Sequence, residues 1–150
     1  MIRLDKIQNG HVVSFTFATD LVNGAVVALG ALNSDGESYV GGAVSAVATD
    51  RMVLHTSPEL QYATDAIESE FILKAGQKGR GHILEKGDIV TITDDQITGS
   101  TVVGKYVLPV AGTKLSASAT APTTEDLAFV VVEKTTLNGE AATAIEVIVA

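Results

Sequence analysis

Residues 127–149, Leu-Ala-Phe-Val-Val-Val-Glu-Lys-Thr-Thr-Leu-Asn-Gly-Glu-Ala-Ala-Thr-Ala-Ile-Glu-Val-Ile-Val, give the clearest structural signal in the chain. Two runs rich in valine and isoleucine, over 127–134 and 144–149, flank a predicted turn over 135–140. β-Branched side chains are stiff at χ1 and fit the pleated surface of a sheet. The pattern predicts a β-hairpin whose second strand holds the end of the sequence in a sheet.

The same composition extends over the whole chain. Valine, threonine and isoleucine supply 45 of the 150 residues, and 14 glycines are spread among them. Glycine provides the positive φ that tight turns need, and a hydrophobic content of 46% is enough to form a core. We therefore predict an all-β (mainly β) fold built from hairpins, with at most one or two short helices. One candidate helix has Ser57 as its N-cap and Pro58 at its first position.

Residues 1–19 are predicted to be an extended N-terminal arm or the first strand, and residues 20–150 a single β-rich domain. Val13, Phe15 and Phe17 share one face of this segment, with polar residues between them, as in a half-buried strand. Two interpretations stay open. The apolar face either binds a partner by adding a strand to the partner's sheet, or belongs to the first strand of the protein's own barrel.

Composition argues against several classes of function. A formal net charge of −8 opposes general nucleic-acid binding, because phosphates would be repelled. Four Phe, three Tyr and no Trp leave few side chains to stack on bases or sugars. The chain has no cysteine for disulfides or thiolate metal sites, and it shows neither a secretory signal nor an apolar run that approaches a membrane span.

No motif assembles an active site, so we predict that the protein is not an enzyme and binds no metal or cofactor. His11, His55 and His82 lack the spacing of a local metal pair, and a Gly-x-Ser-x-Gly elbow is absent. Residues 76–81, Gly-Gln-Lys-Gly-Arg-Gly, match neither the dinucleotide fingerprint nor the P-loop. The three histidines are expected to be structural or surface residues.

Two acidic groups leave alternatives open. Asp94 and Asp95 could form half of a cation site with oxygen ligands from neighbouring threonines. The same pair, or Glu68 with Glu70 on one face of a strand, could serve a hydrolase. In each case the simpler interpretation is that acidic residues solvate a loop or a strand edge.

Residues 74–86 form a basic segment in an acidic protein. The segment carries four basic residues and one acidic residue, Glu85, for a net charge of +3, whereas the rest of the chain sums to −11. It is either a flexible solvated loop or a docking loop that faces an acidic protein partner, where complementary charge sets orientation and association rate. The candidate partner-binding residues are therefore Lys74, Lys78, Arg80 and Lys86, together with Val13, Phe15 and Phe17.

The order of segments resembles a known family. Residues 20–27, Asp-Leu-Val-Asn-Gly-Ala-Val-Val, follow the N-terminal arm, and residues 84–92, Leu-Glu-Lys-Gly-Asp-Ile-Val-Thr-Ile, lie mid-chain before the valine-rich hairpin. With its low aromatic content and lack of cysteine, the chain resembles the capsid decoration (cement, or head auxiliary) proteins of tailed bacteriophages over most of its length.

The resemblance implies a small β-barrel or tulip-like β-domain on the outer surface of a phage capsid, where such proteins bridge capsid subunits and stabilise the shell. The implied partners are the major capsid protein and further copies of the chain, with a trimer as the first guess. The implied location is the virion, after synthesis in the host cytoplasm, and no catalytic residues carry over. The alternative is another phage or surface structural module, such as a tail, fibre or adhesin domain that binds a receptor or glycan.

Overall fold

The computed structural model describes residues 1–57 and 72–150, and nearly all of the regular structure in them is β. The strands are β1 (Ile2–Lys6), β2 (Val12–Thr16), β3 (Val26–Leu32), β4 (Ser38–Gly42), β5 (Met52–His55), β6 (Lys78–His82), β7 (Ile89–Thr93), β8 (Ile97–Thr98), β9 (Tyr106–Pro109), β10 (Leu115–Ser118), β11 (Ala128–Leu137) and β12 (Glu140–Val149). The only helical element in residues 1–57 and 72–150 is a three-residue 3-10 turn, Asp94–Gln96. The predicted all-β class is therefore confirmed.

The strands form a closed barrel and a second, open sheet. The barrel has the order β2-β4-β3-β5-β6, and the seven-stranded sheet has the order β1-β7-β12-β11-β9-β10-β8. Pairing is antiparallel except between β2 and β4 and between β8 and β10. The predicted small β-barrel is thus confirmed as one of two parts of the fold.

The C-terminal hairpin is the longest element and lies at the centre of the open sheet. Strands β11 and β12 contain ten residues each and pair with each other, while β7 and β9 pair with their outer sides. The turn consists of Asn138 and Gly139, both with positive φ, which is the conformation of the two-residue hairpin turns that Asn-Gly favours. The hairpin prediction is confirmed, with a shorter turn and longer strands.

Where Val26 and Val27 of β3 pair with β5, the two strands are buried on both faces, which joins the barrel to the sheet. Val26 pairs with Leu54 on the face that packs against the sheet, and Val27 pairs with Val53 on the face that fills the barrel. All four side chains are at most 1% exposed. Since apolar pairs on one face belong to the sheet's core and those on the other to the barrel's core, the two parts are stabilised by the same strands.

The barrel interior is narrow and centres on Phe15, whose side chain is fully buried. Gly41 and Gly79 lie beside it on the two neighbouring strands, where an added Cβ would come within 3.0 Å and 3.1 Å of the Phe15 ring. At Gly81 an added Cβ would lie 2.6 Å from Val53 Cγ2. Glycine is therefore required at these positions because neighbouring atoms already occupy the space.

The N-terminal segment belongs to the protein's own sheets, which corrects the docking-arm interpretation. Strand β1 pairs with β7 at the edge of the open sheet, and β2 closes the barrel between β4 and β6. Residues 1–19 therefore contribute strands to both parts of the fold, as the first-strand alternative had it. The candidate helix after Ser57 lies outside the described residues.

Candidate functional site

The apolar face of the N-terminal segment points into the barrel. Phe15 is fully buried, and Val13 and Phe17 are partly buried against the same cluster. The Phe15 ring also meets the His55 ring edge-on, with centroids 5.4 Å apart. The period-two pattern does mark a half-buried strand, and its apolar face packs against the interior of the barrel. The Phe15 side chain is therefore used inside the protein, and only the exposed parts of Val13 and Phe17 remain for a partner.

Two of the four candidate basic residues are paired with acidic residues of the same chain. Lys74 Nζ lies 3.1 Å from Asp20 Oδ2, and Lys78 Nζ lies 3.1 Å from Asp35 Oδ2. A backbone hydrogen bond from Ala75, and then the Lys74 ammonium, lower the pKa of Asp20. Backbone hydrogen bonding and Lys78 likewise lower the pKa of Asp35. These ion pairs join neighbouring loops at one end of the barrel, so the expected free basic patch is largely neutralised there.

The other two basic residues lie apart from that cluster. Arg80 is exposed, and its Nε donates a hydrogen bond of 2.9 Å to the carbonyl of Thr56. Lys86 is exposed in the turn that precedes β7. Because β6 runs from Lys78 to His82, the strand separates Lys86 from the ion pairs at its beginning. The structure therefore does not assemble the four residues into one docking loop.

A hydrogen-bonded network that the sequence did not reveal surrounds the end of β5. The ring of His55 lies 2.8 Å from the Val22 carbonyl through Nδ1 and 2.7 Å from Ser57 Oγ through Nε2. A carbonyl can only accept, so Nδ1 carries the proton and Nε2 accepts from the serine hydroxyl. Ser57 Oγ in turn accepts the backbone N–H of Arg80 at 2.9 Å, which ties β5 to β6. In the sequence, the polar residues His55, Thr56 and Ser57 directly after an apolar strand are the feature that could have indicated this network.

The second buried histidine continues this network. His82 Nδ1 lies 3.0 Å from Thr56 Oγ1, and burial, followed by the charge of Arg80, lowers its pKa. Burial also lowers the pKa of His55. Both imidazoles are thus held neutral among protein partners, which is the structural role predicted for them, whereas His11 is exposed.

The pair Ser57–His55 has the geometry by which an imidazole activates a serine. Ser57 is only 6% exposed, however, and its backbone is also fixed, since its N–H donates to Asn23 Oδ1 and its carbonyl accepts from Asn23 Nδ2, both at 2.9 Å. These contacts assign the pair a role in holding strand ends together.

Asp94, one of the two residues of the candidate cation site, forms an ion pair with a lysine of the same chain. Lys134 Nζ lies 2.6 Å from Asp94 Oδ2, and the Thr143 hydroxyl donates to Asp94 Oδ1 at 2.6 Å. Asp95 accepts from the side chain of Gln96. No group of three or more metal-ligating side chains occurs in residues 1–57 and 72–150. The pair at Glu68 and Glu70 lies outside the described residues.

Two of the surface clefts are lined by described residues. One has a volume of about 310 Å³ where the barrel meets the sheet, lined by Thr49, Asp50, Arg51, Met52, Ile83, Leu84, Asp126, Leu127 and Ala150. The other is a notch of about 150 Å³ at the sheet edge, lined by Gly99, Ser100, Val102, Lys105, Tyr106, Ala117, Ser118 and Ala119. Every buried polar side-chain atom of the described residues has a hydrogen-bond partner, so neither cleft presents an unsatisfied buried group.

An apolar patch lies beside the notch. Val102 and Val103, 56% and 57% exposed, are the two most exposed large apolar side chains in the described part of the chain. Their turn is held to β11 by hydrogen bonds that pair Val131 with Gly104 and Lys105, next to Val132, which is 43% exposed. We call Val102, Val103 and Val132 the valine patch.

Comparisons of the chain with protein-family models, with curated proteins and with solved structures found no match. In residues 1–57 and 72–150, no helix is long and apolar enough to cross a membrane.

Proposed function

We propose that this protein is a structural virion protein that binds the outer surface of a tailed-phage capsid and stabilises the shell by bridging capsid subunits. Its partner is then the major capsid protein, with further copies of the chain, in a trimer, as a second contact. The observation that carries the proposal is the valine patch. Contiguous exposed apolar surface is where proteins bind one another, and Val102 and Val103, which are neighbours in the chain, are each more than half exposed.

The contrast between the patch and the polar residues supports a binding role over a chemical one. The buried His55 and Ser57 bond to each other and to the backbone, and Asp94 is bonded to Lys134. In this proposal the side chains of His55, Ser57 and Asp94 hold strands and loops together, and the valine patch is the surface that a partner covers. The net charge of −8 favours a protein partner over nucleic acid.

Co-sedimentation with expanded, undecorated capsids assembled from the major capsid protein of the same genome tests the proposal. We expect the protein to pellet with expanded shells at a saturating, icosahedral copy number and to raise the temperature at which the shells disrupt. Val103→Glu, which places a charge in the valine patch, should weaken binding. Val12→Glu, a matched change at a valine 40% exposed on the barrel, should leave it unchanged.

Two results would contradict the proposal. If the protein stays in the supernatant with every shell form, it does not bind capsids. If it instead binds host cells or isolated glycans, the tail, fibre or adhesin alternative is the correct one.

A further inference from the structure

Three of the four asparagines in the chain are followed by glycine, at residues 9–10, 23–24 and 138–139. Glycine has no side chain to shield its backbone nitrogen, so in this dipeptide the nitrogen can reach the carboxamide carbon of the asparagine and close a succinimide ring. Ring closure requires a free glycine N–H and an asparagine side chain that can turn towards it. The structure places the three identical dipeptides in three different environments.

Asn23 and Gly24 are fixed at the groups that ring closure uses. Asn23 Nδ2 donates to the carbonyl of Ser57 and Asn23 Oδ1 accepts from the backbone N–H of Ser57, both at 2.9 Å. The N–H of Gly24 donates to the carbonyl of His55, also at 2.9 Å. Asn23 is 3% exposed, so ring closure here would break buried hydrogen bonds, whose loss is costly.

Asn138 and Gly139 are exposed but lie in the tight turn of the C-terminal hairpin. Both have positive φ, and Leu137 pairs with Glu140 directly on either side of them. In the left-handed conformation the following backbone nitrogen points away from the Cβ of the asparagine, so ring closure needs a large rotation about the Cα–C bond. Two paired strands resist that rotation, because it would break the pairing that fixes the turn.

Asn9 and Gly10 lie exposed in the loop between β1 and β2, where neither restraint applies. The N–H of Gly10 donates to no group of residues 1–57 and 72–150, and an added Cβ at Gly10 would meet nothing within 4 Å. Asn9 does not have a positive φ. Among the described residues its side chain forms one hydrogen bond, from Nδ2 to Glu85 Oε2 at 2.6 Å, and that bond is exposed. Both reacting groups are therefore accessible here.

We propose that Asn9 is a site of spontaneous deamidation, and that the folded protein protects the other two Asn-Gly dipeptides. The Gly10 nitrogen loses its proton and bonds to Asn9 Cγ, the bond from Cγ to the carboxamide nitrogen breaks, and ammonia leaves with that proton. Water then opens the succinimide ring. Attack at the side-chain carbonyl gives aspartate, and attack at the backbone carbonyl gives isoaspartate, whose backbone runs through the former side chain. Water is the only co-reactant, so the modified fraction rises with the age of the protein, whatever its function.

Deamidation acts at the contact between this loop and the turn that precedes β7. The carboxylate of Glu85 only accepts hydrogen bonds, and the Asn9 carboxamide supplies the donor. A carboxylate at position 9 supplies none and repels Glu85. Beside it, the Gln8 backbone N–H donates to Asp88 Oδ1 at 2.9 Å and Gln8 Nε2 donates to the Lys86 carbonyl at 3.0 Å. We therefore expect the modification to loosen the loop from the turn.

Mass spectrometry of the full chain, aged in mildly alkaline buffer, tests the proposal site by site. Asn9 should gain the mass difference between OH and NH2 about tenfold faster than Asn23 or Asn138, because reaction at those two sites must wait for local opening of the structure. Fragment ions locate each site, and enzymatic methylation detects isoaspartate. In concentrated urea, the three dipeptides should react at similar rates, which would attribute the difference to the fold.

Asn9→Gln is the matched control, because its longer side chain closes the corresponding ring far more slowly and still offers a carboxamide to Glu85. The aged variant should stay unmodified at position 9. Asn9→Asp should unfold at a lower temperature than Asn9→Gln, and Glu85→Gln should abolish that difference. The proposal is wrong if Asn9 stays intact in the aged, folded protein, or if Asn23 or Asn138 reacts as fast. Equal unfolding temperatures for the two Asn9 variants would overturn the predicted loosening of the loop.

Discussion

At the scale of single residues, the size of the barrel dictates where glycine is required. An added Cβ at Gly41 would lie 2.8 Å from both the Thr16 carbonyl oxygen and Val27 Cγ1. At Gly42, the next residue, an added Cβ would meet nothing within 4 Å, and its φ is not positive. The two glycines look alike in the sequence, but only the first faces the barrel interior.

This difference predicts opposite effects of the same substitution. Gly41→Ala should lower the free energy of unfolding by about 1–3 kcal/mol, because the new methyl group overpacks the interior against backbone. Gly42→Ala should be neutral or should raise it by up to about 1 kcal/mol, because alanine reduces the entropy of the unfolded chain. Urea unfolding of both variants measures the difference. Equal effects at the two positions would contradict the packing described for the barrel.

The buried histidines predict how stability depends on pH. Burial lowers the pKa of His55 and His82 below the ordinary value of 6.5, so the unfolded chain binds protons that the folded protein does not. The free energy of unfolding should therefore be highest above about pH 7 and should fall as the pH drops through 6.5. The groups that face His82 are Thr56, Arg80 and Asp88, and repulsion from Arg80 adds to the effect.

Chemical unfolding between pH 7.5 and 5.5 measures this dependence. The carboxylates with lowered pKa, such as Asp20, lose their stabilising effect only at more acidic pH, below about 4, so they do not confuse the result. His82→Gln should flatten the slope, whereas His11→Gln, at an exposed position, should leave it unchanged. A free energy of unfolding that is constant between pH 7.5 and 5.5 would contradict the prediction that burial of the two imidazoles makes stability depend on pH.

At the scale of secondary-structure elements, local patterns predicted the hairpin well and its boundaries less well. The predicted turn covered residues 135–140, but Thr135, Thr136 and Leu137 continue β11 and the turn is only Asn138-Gly139. Leu137 is buried against Met1 and Ala142, a contact made across the whole length of the chain. The added residues pair with each other across the tight turn, and from Ala142 onward β12 is also paired with β7, a strand that the local pattern of the hairpin does not contain.

Glycines and charges misled the prediction for the same reason. The spacing of Gly76, Gly79 and Gly81 suggested a loop, yet the last two lie in β6 and face the barrel interior. The positive charge of Lys74 is balanced by Asp20, 54 positions earlier in the sequence, and that of Lys78 by Asp35, which is 78 − 35 = 43 positions earlier; both approach only after the barrel closes. Neither the inward-facing glycines nor these ion pairs can be predicted from neighbouring residues in the sequence, because both depend on tertiary pairing.

At the scale of the whole molecule, the barrel and the sheet share one apolar cluster. Val26 and Leu54, from the barrel strands, are buried together with Val90, Ile92 and Ile145 of the open sheet. Neither part has a complete core without the other, since the face of β3 and β5 that leaves the barrel would otherwise expose these side chains to water.

Leu54→Ala tests whether the two parts unfold as one. The substitution leaves a cavity between barrel and sheet and should cost about 2–5 kcal/mol, whereas Leu32→Ala, at a leucine 53% exposed on β3, should cost less than about 1 kcal/mol. Amide hydrogen exchange should report the same loss of protection in β2 of the barrel and in β12 of the sheet, since a shared core opens cooperatively. If protection falls in β2 while β12 keeps its original stability, the sheet holds its core independently, and the barrel is a separately folding attachment to it.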